Sequence, residues 1–189
     1  MIADLYDFDK TVFRGESGSE FWLFCLKRHP KIIRCLPRQV KGIFSHYVLH
    51  KISEKEAKEH IYSFLCYIDA EKESELFWKK NANRINDWFK PLENDVPTIV
   101  CSASPAFQIK PICRKLGVAI LIATDMDPAT GKISGENCKG AEKVNRIKKE
   151  AAEYEMRNVY TDNPVSDKPI LELALQNRFH VKKDGFFRI

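Results

Sequence analysis

No two of the six cysteines, at positions 25, 35, 66, 101, 113 and 138, form a C-x-x-C pair, and none sits at a zinc-like spacing from histidine. This argues against a structural zinc site and predicts free thiols, buried or half-buried, in a reducing compartment. No apolar run approaches membrane-spanning length and no signal peptide precedes Asp4, so a cytoplasmic location is predicted. Internal repeats and low-complexity tracts are lacking. The net charge is only +5, with no Arg/Lys stripe interleaved with aromatics, so nucleic acid is not an expected partner.

What the chain does have is apolar mass. Hydrophobic residues make up 44% of its 189 positions, enough for one substantial core and a small added module. One stretch near the N-terminus carries chemistry. Ile2, Ala3, Leu5 and Tyr6 form an apolar run that leads directly into Asp7-Phe8-Asp9-Lys10-Thr11. Such a run predicts a strand whose carboxyl end opens into a site, because ligands of parallel α/β sheets bind there. Two carboxylates flanking one apolar residue must be relieved by a proton, a cation or both.

From about Arg14 to Phe89 the pattern is helical. Phe21, Trp22, Phe24, Cys25 and Leu26 form an apolar cluster, and a second helix is expected from Cys35 to Leu49. Ser53 and Glu56 predict a capping box, and a further helix should carry Leu76, Phe77 and Ile85 toward Trp88. Beyond Asp95 strands alternate with helices. Val96 to Cys101 reads as a strand, Ser104 as a helix N-cap with Pro105 behind it, and Gly117 as the helix stop. Val118 to Ala123 predicts a strand, Asp127 to Gly131 a hairpin turn, and a helix is expected from near Gly140. A short strand at Val159 and Tyr160, a helix from Pro169 to Leu175 and a last core strand from Phe179 to Val181 complete the pattern. It predicts an α/β fold with a doubly wound parallel sheet interrupted by a helical bundle.

Each predicted core strand ends in polar residues: Asp7 and Asp9, then Ser102, then Asp162 with Asp167 close behind. Lys139 and Lys143 lie near the start of the intervening helix. Several carboxylates, a hydroxyl and a lysine suit phosphoryl transfer through an aspartyl-phosphate, with hard oxygen ligands holding Mg2+.

These segments resemble the motifs of the haloacid-dehalogenase (HAD) superfamily phosphatases: Asp7-Phe8-Asp9-Lys10-Thr11, then Ser102 after its strand, then Cys138-Lys139-Gly140-Ala141-Glu142-Lys143, then Thr161-Asp162 through Asp167. The resemblance spans nearly the whole core. It implies a HAD-like Rossmannoid core of residues 1–13 and 90–189 with a helical C1-type cap of residues 14–89. By the same resemblance Asp7 is the nucleophile and a metal ligand. Asp9 is the general acid and base and lends its backbone carbonyl to the metal. Thr11, Ser102 and Ala103 hold the substrate phosphate, Asp162 is a second metal carboxylate, and Asp167 supports the metal waters or the lysine. Either Lys139 or Lys143 fills the lysine role. The two are four apart, which would put both on one helix turn, and the Cys138-Gly140-Lys143 spacing favours Lys143.

The implied substrate is a small phosphorylated metabolite hydrolysed as a phosphomonoester. Glu16 stands where phosphoserine phosphatases carry a glutamate for the substrate amine, although a helix-start carboxylate is the plainer reading. Ser102-Ala103-Ser104-Pro105 and Asp162-Asn163-Pro164 depart from the phosphoserine phosphatases and look closer to the IB branch that includes the class C phosphatidylglycerophosphatases. A phospholipid head-group phosphatase, a phosphotransferase and a non-catalytic phospholigand-binding protein are the alternatives. No acidic residue lies between Glu20 and Glu54, where basic and apolar residues alternate. An anionic membrane surface would suit that stretch. The favoured expectation is that its apolar face packs inside the bundle.

Overall fold

The computed structural model describes residues 1–183 and 185–189. The N-terminal apolar run forms β1 (Ile2–Tyr6), and its last four residues are buried. Helices alone follow: α1 (Ser17–Arg28), α2 (Leu36–Tyr47), α3 (Glu54–Ile61) and α4 (Ala70–Asn81), joined by 3-10 turns such as Pro30–Cys35 and Tyr62–Tyr67. The chain then alternates through β2 (Thr98–Pro105), α5 (Ala106–Leu116), β3 (Ile120–Thr124), α6 (Ala141–Glu150), β4 (Glu155–Thr161), α7 (Lys168–Leu171), β5 (Asn177–Lys182) and β6 (Gly185–Arg188).

The six strands form one sheet in the order β3-β2-β1-β4-β5-β6, parallel except for the antiparallel β5–β6 pair. The chain winds outward from β1 through β2 and β3, then crosses over to β4. The winding therefore reverses between β1 and β4, which is where a doubly wound sheet opens a crevice at its carboxyl edge. Tyr6 pairs with Val100 on one side and Tyr160 on the other, so Asp7 emerges level with the ends of β2 and β4.

Alternation along the strands divides the core. Ala3, Leu5, Ile99 and Val159 face one cluster with Ile147 and Ile170 of α6 and α7. Tyr6, Val100 and Tyr160 face the other, which is continuous with Phe21, Phe64 and Phe77 of the helical insert. Phe8 and Phe13 belong to it too, so the loop carrying Asp7 and Asp9 is bolted to the insert by aromatic packing, with Trp78 edge-on to both rings.

Several local expectations hold. Ser53 and Glu56 form the capping box, and Gly117 ends α5 at φ 77, a left-handed value that a side chain would resist. The turn after Met126 is a minimal hairpin, a single Met126–Ile133 bridge closed by Asp127. Others are corrected. α4 stops at Asn81, short of Ile85 and Trp88, and α7 is one turn rather than a helix to Leu175. β6 lies beyond the strand expected to be last, covering the sheet edge and setting Phe186 against Trp88, Tyr160 and Phe179. All six cysteines are free, but Cys66 is exposed.

The favoured expectation for the basic stretch of the insert holds for Ile32, which is buried, but fails for α2. Val40, Ile43, Phe44 and Tyr47 of α2 are exposed, while Gln39 and Gly42 are the residues that α2 buries. Among the described residues no helix is long and apolar enough to cross a membrane.

Candidate active site

The segment after β1 makes a tight loop. Asp7 N–H extends the β1–β4 ladder by donating to Tyr160 O at 2.9 Å. The Phe8 carbonyl then accepts the N–H groups of Thr11, Val12 and Phe13, and Lys10 takes a left-handed φ of 57°. Phe8 points into the core, so the two aspartates flanking it face different surroundings.

Asp7 is buried against Lys143 of α6, whose Nζ donates to its Oδ1 at 2.6 Å. The same ammonium reaches both oxygens of Asp167, at 3.0 and 3.1 Å, and Thr161 Oγ1 donates to Asp167 Oδ2 at 2.7 Å. Burial pushes the Asp7 carboxyl up to about 7; Lys143 opposes this, and Asp167 and Asp9 add to it. Burial alone would lower Lys143, but Asp7 and Asp167 hold it well above its ordinary value. Lys143 is therefore a fixed cation at the end of β1.

Asp9 turns the other way. Its Oδ1 accepts Ser17 N–H at 2.6 Å from the first turn of α1, and its Oδ2 accepts Ser104 Oγ at 2.6 Å. The two hydroxyls, Ser17 and Ser104, are 2.9 Å apart. Burial raises the Asp9 carboxyl, and the hydrogen bonds from Ser104 and Ser17 only partly offset it. Ser104 is thus not a helix cap: β2 runs on to Pro105, and the Ser104 side chain faces the aspartate. Ser17 and Ser104 are partners of Asp9 that were not among the site residues expected from the sequence. The SxSP spacing could have hinted that both serines of β2 reach the same crevice, since residues two apart share a strand face.

The remaining candidates fall into place around this pair. Thr11 Oγ1 lies 3.4 Å from Asp7 Oδ2 and accepts Asp162 N–H at 2.8 Å, tying the β1 loop to the end of β4. Ser102 is buried and its Oγ accepts Ser104 N–H at 3.0 Å. The Ala103 carbonyl accepts Thr124 Oγ1 at 2.6 Å and the ammonium of Lys58, a lysine from α3 that also reaches Asn137 Oδ1 at 2.8 Å. Burial lowers Lys58 to about 8, with Glu54 and Asp9 opposing. Glu16 pairs with Lys10 at the mouth of the loop, both half exposed.

The two candidate lysines separate completely. α6 begins at Ala141, behind Gly140 at φ 55°, so Lys139 precedes the helix and does not share a turn with Lys143. Lys139 is exposed and pairs with Glu54 at 2.7 Å, while Lys143 lies buried among the carboxylates.

Among the described residues no three His, Cys, Asp or Glu side chains close up as a metal cage. The reason is visible: Asp9 is turned to the serines and Asp167 to Lys143 and Thr161. That leaves Asp7 and Asp162 as carboxylate donors. The Asp162 carboxylate has no hydrogen-bond partner among the described residues, and burial raises it, with Lys10 opposing. Two hard oxygen donors, one of them unpaired, beside excess negative charge suit a divalent cation such as Mg2+.

Residues 5–172 match the haloacid dehalogenase-like hydrolase family. No curated protein matches the chain. A solved protein of unknown function from Bordetella pertussis Tohama I is 22% identical, with a TM-score of 0.72 over 94% of this chain and 87% of its own. A phosphoserine phosphohydrolase-like protein from Francisella tularensis subsp. tularensis SCHU S4 is 15% identical, with a TM-score of 0.63 over 94% and 86%. A substrate-bound phosphoserine phosphatase is 19% identical, with a TM-score of 0.51 over 97% and 88%. At these identities the likeness is one of fold. With the family matched across nearly the whole chain and its motif residues gathered at one sheet edge, this protein belongs to the haloacid dehalogenase-like hydrolases.

Proposed function

We infer that the protein is a Mg2+-dependent phosphomonoester hydrolase working through a phosphorylated Asp7. The observation that carries this reading is the divergence of the two aspartates: Asp7 sits against a buried ammonium, and Asp9 sits in a pocket of hydroxyl and amide donors. Groups with opposite tasks need such different surroundings.

In this mechanism an Asp7 carboxylate oxygen attacks phosphorus, and the P–O bond to the alcohol breaks. Asp9, whose carboxyl burial raises, gives a proton to the departing alkoxide. Asp9 then takes a proton from the water that attacks the phosphoryl group on Asp7, which returns both residues to their starting forms and releases phosphate. Lys143 steadies charge on the phosphoryl oxygens while Asp167 holds the lysine in place. Thr11, whose Oγ1 lies 3.4 Å from Asp7 Oδ2, and Ser102 near the carboxyl end of β2 would bind the phosphate. Asp7, Asp162 and the Asp9 backbone carbonyl would hold Mg2+, which when bound screens the repulsion between carboxylate and phosphate.

The helical segment between β1 and β2 supports placement in the IB branch with a C1-type cap, residues 14–89 capping a core of 1–13 and 90–189. Likeness to phosphoserine phosphatases also supports phosphomonoester hydrolysis. The pairing of Glu16 with Lys10 speaks against Glu16 as a free receptor for a substrate amine. The test is hydrolysis of an aryl phosphate with and without Mg2+. Asp7→Asn should lower the rate by at least about 1,000-fold, as expected when a covalent nucleophile is lost. Full activity in Asp7→Asn, or in chelated wild type, would refute the mechanism.

A further inference from the structure

Helix α2 is built inside out. A helix on a water-soluble bundle turns its apolar stripe inward, yet α2 turns a small and polar face to its neighbour. Gln39 Nε2 donates to Ile61 O at 2.7 Å, and Gly42 lies so close to α3 that a Cβ there would come within 2.4 Å of His60 Cβ. The adjoining face carries Leu36, Val40, Ile43, Phe44 and Tyr47, which are between 39% and 63% exposed. Leu23, Ile33 and Val48 extend the surface and are 49%, 47% and 58% exposed. A contiguous apolar surface of this kind marks an interaction site.

Along residues 21–53 the charge has one sign, and Glu54 of α3, which lines the adjoining groove, is paired with Lys139. Lys27, Lys31, Arg34, Arg38, Lys41 and Lys51 are exposed and make no ion pair among the described residues. With no acidic residue from 21 to 53 to oppose them, the complement of this face is an apolar surface studded with anions.

Behind the face lies a cavity of about 690 Å³. Trp22, Leu36, Val40, Ile43 and Tyr47 wall its outer part. Its inner end is formed by Gly18, Lys58, Ala103 and Asn137. Gly18 adjoins Ser17, and Ala103 lies between Ser102 and Ser104, so the groove leads from the apolar face to the hydroxyls around Asp9.

We propose that the α1–α2 face docks on an anionic lipid bilayer and that the groove behind it receives the apolar part of a membrane-borne phosphomonoester. This rests on the phosphatase reading for its chemistry and adds the substrate class: an amphiphile whose phosphate reaches Asp7 while its chain lies along α2. The lysines and arginines meet the lipid head groups, and Phe44, Ile33 and Val48 enter the interfacial layer.

Flotation of the full chain with phosphatidylcholine vesicles containing about 30 mol% phosphatidylglycerol is the direct test, and binding at about 50 mM salt should weaken sharply at about 500 mM. Phe44→Glu, and separately Arg34→Ala with Arg38→Ala and Lys41→Ala, should each reduce vesicle affinity. The triple change should cost about 100-fold, from roughly tenfold or less per basic residue. Both variants lie on exposed positions and should keep wild-type hydrolysis of a soluble aryl phosphate. In solution, wild type should prefer dodecyl phosphate below its micelle concentration to butyl phosphate by more than about 10-fold in kcat/KM, as chain burial predicts. Lack of flotation at low salt, or flotation that both variants retain, overturns the docking. So does a stable dimer that Phe44→Glu dissociates, because a second copy would then cover the face. Equal use of the two alkyl phosphates overturns the groove assignment. Vesicle binding by a wild type that hydrolyses no phosphate ester at all would sink the phosphatase reading and the substrate class with it, leaving the docking face standing.

Discussion

Asp7 and Asp9 are two residues apart and identical in kind, and their surroundings make them different acids. Burial raises both, but Asp7 is coupled to the Lys143 ammonium, while the donors on Asp9 are the Ser104 hydroxyl and the Ser17 amide. Loss of Asp9 should therefore hurt in proportion to how much the leaving group needs a proton. Asp9→Asn is expected to slow alkyl phosphate hydrolysis by about 100-fold or more while an activated aryl phosphate suffers less, since general acid catalysis is worth that order. Parallel steady-state assays on the two esters check it. The lysines give a second contrast. Lys143→Ala leaves Asp7 and Asp167 buried without their cation and should cost about 3 kcal/mol or more in urea unfolding, with activity abolished. Lys139→Ala breaks an exposed pair with Glu54 and should cost less than about 1 kcal/mol.

At the scale of elements, the insert is held by a few polar clamps set into an aromatic core. Glu73 of α4, buried, accepts Arg28 Nε at 2.5 Å and lies 3.0 Å from His29 at the end of α1. Burial works to raise Glu73, and Arg28 and His29 overcome it, leaving the carboxyl below its usual value. A carboxyl depressed on folding stabilises the protein above its unfolded value and loses that contribution as pH falls through the folded one. Glu73→Gln should thus destabilise by about 2 kcal/mol near neutrality, part of the loss being the unpaired Arg28. The gap from wild type should shrink in acid, below the ordinary glutamate value of 4.5. Chemical denaturation at several pH values reads this out, and a gap that widens in acid contradicts it. Lys58 is the corresponding clamp between α3 and the sheet, joining the insert to Ala103 next to the serines of β2.

For the whole molecule, the sheet order decides where chemistry can happen. Because β1 lies between β2 and β4, the loops after all three strands open onto one edge, and residues 7, 102 and 162 meet there despite their distance in sequence. The edge carries more carboxylates than cations, a strain that a divalent ion relieves. Mg2+ should therefore stabilise the folded chain as well as support hydrolysis. Saturation at about 100 times its dissociation constant should add about 2.7 kcal/mol, seen as a rise in Tm that Asp162→Asn abolishes or diminishes.

Much of this was written locally. The strand before Asp7, the capping box at Ser53, the stop at Gly117 and the strand–helix alternation beyond residue 95 follow from periodicity and backbone preference, which act over a few residues. Pattern also singled out Asp7, Asp9, Ser102 and Asp162 as strand-end groups. The rest depended on which faces meet. The Cys138-Gly140-Lys143 spacing favoured Lys143, but how far the two lysines separate depended on where α6 begins and which of them the sheet buries. Ser104 followed a helix-cap pattern and became an aspartate partner because β2 runs on to Pro105. β6 was too short to announce itself and exists through its pairing with β5. The stripe on α2 carries the same residues whichever way it points. In the fold, Gly42 and Gln39 are the residues set against α3, and the stripe beside them is left exposed, since a helix can bring one face against its neighbour and the smallest face comes nearest.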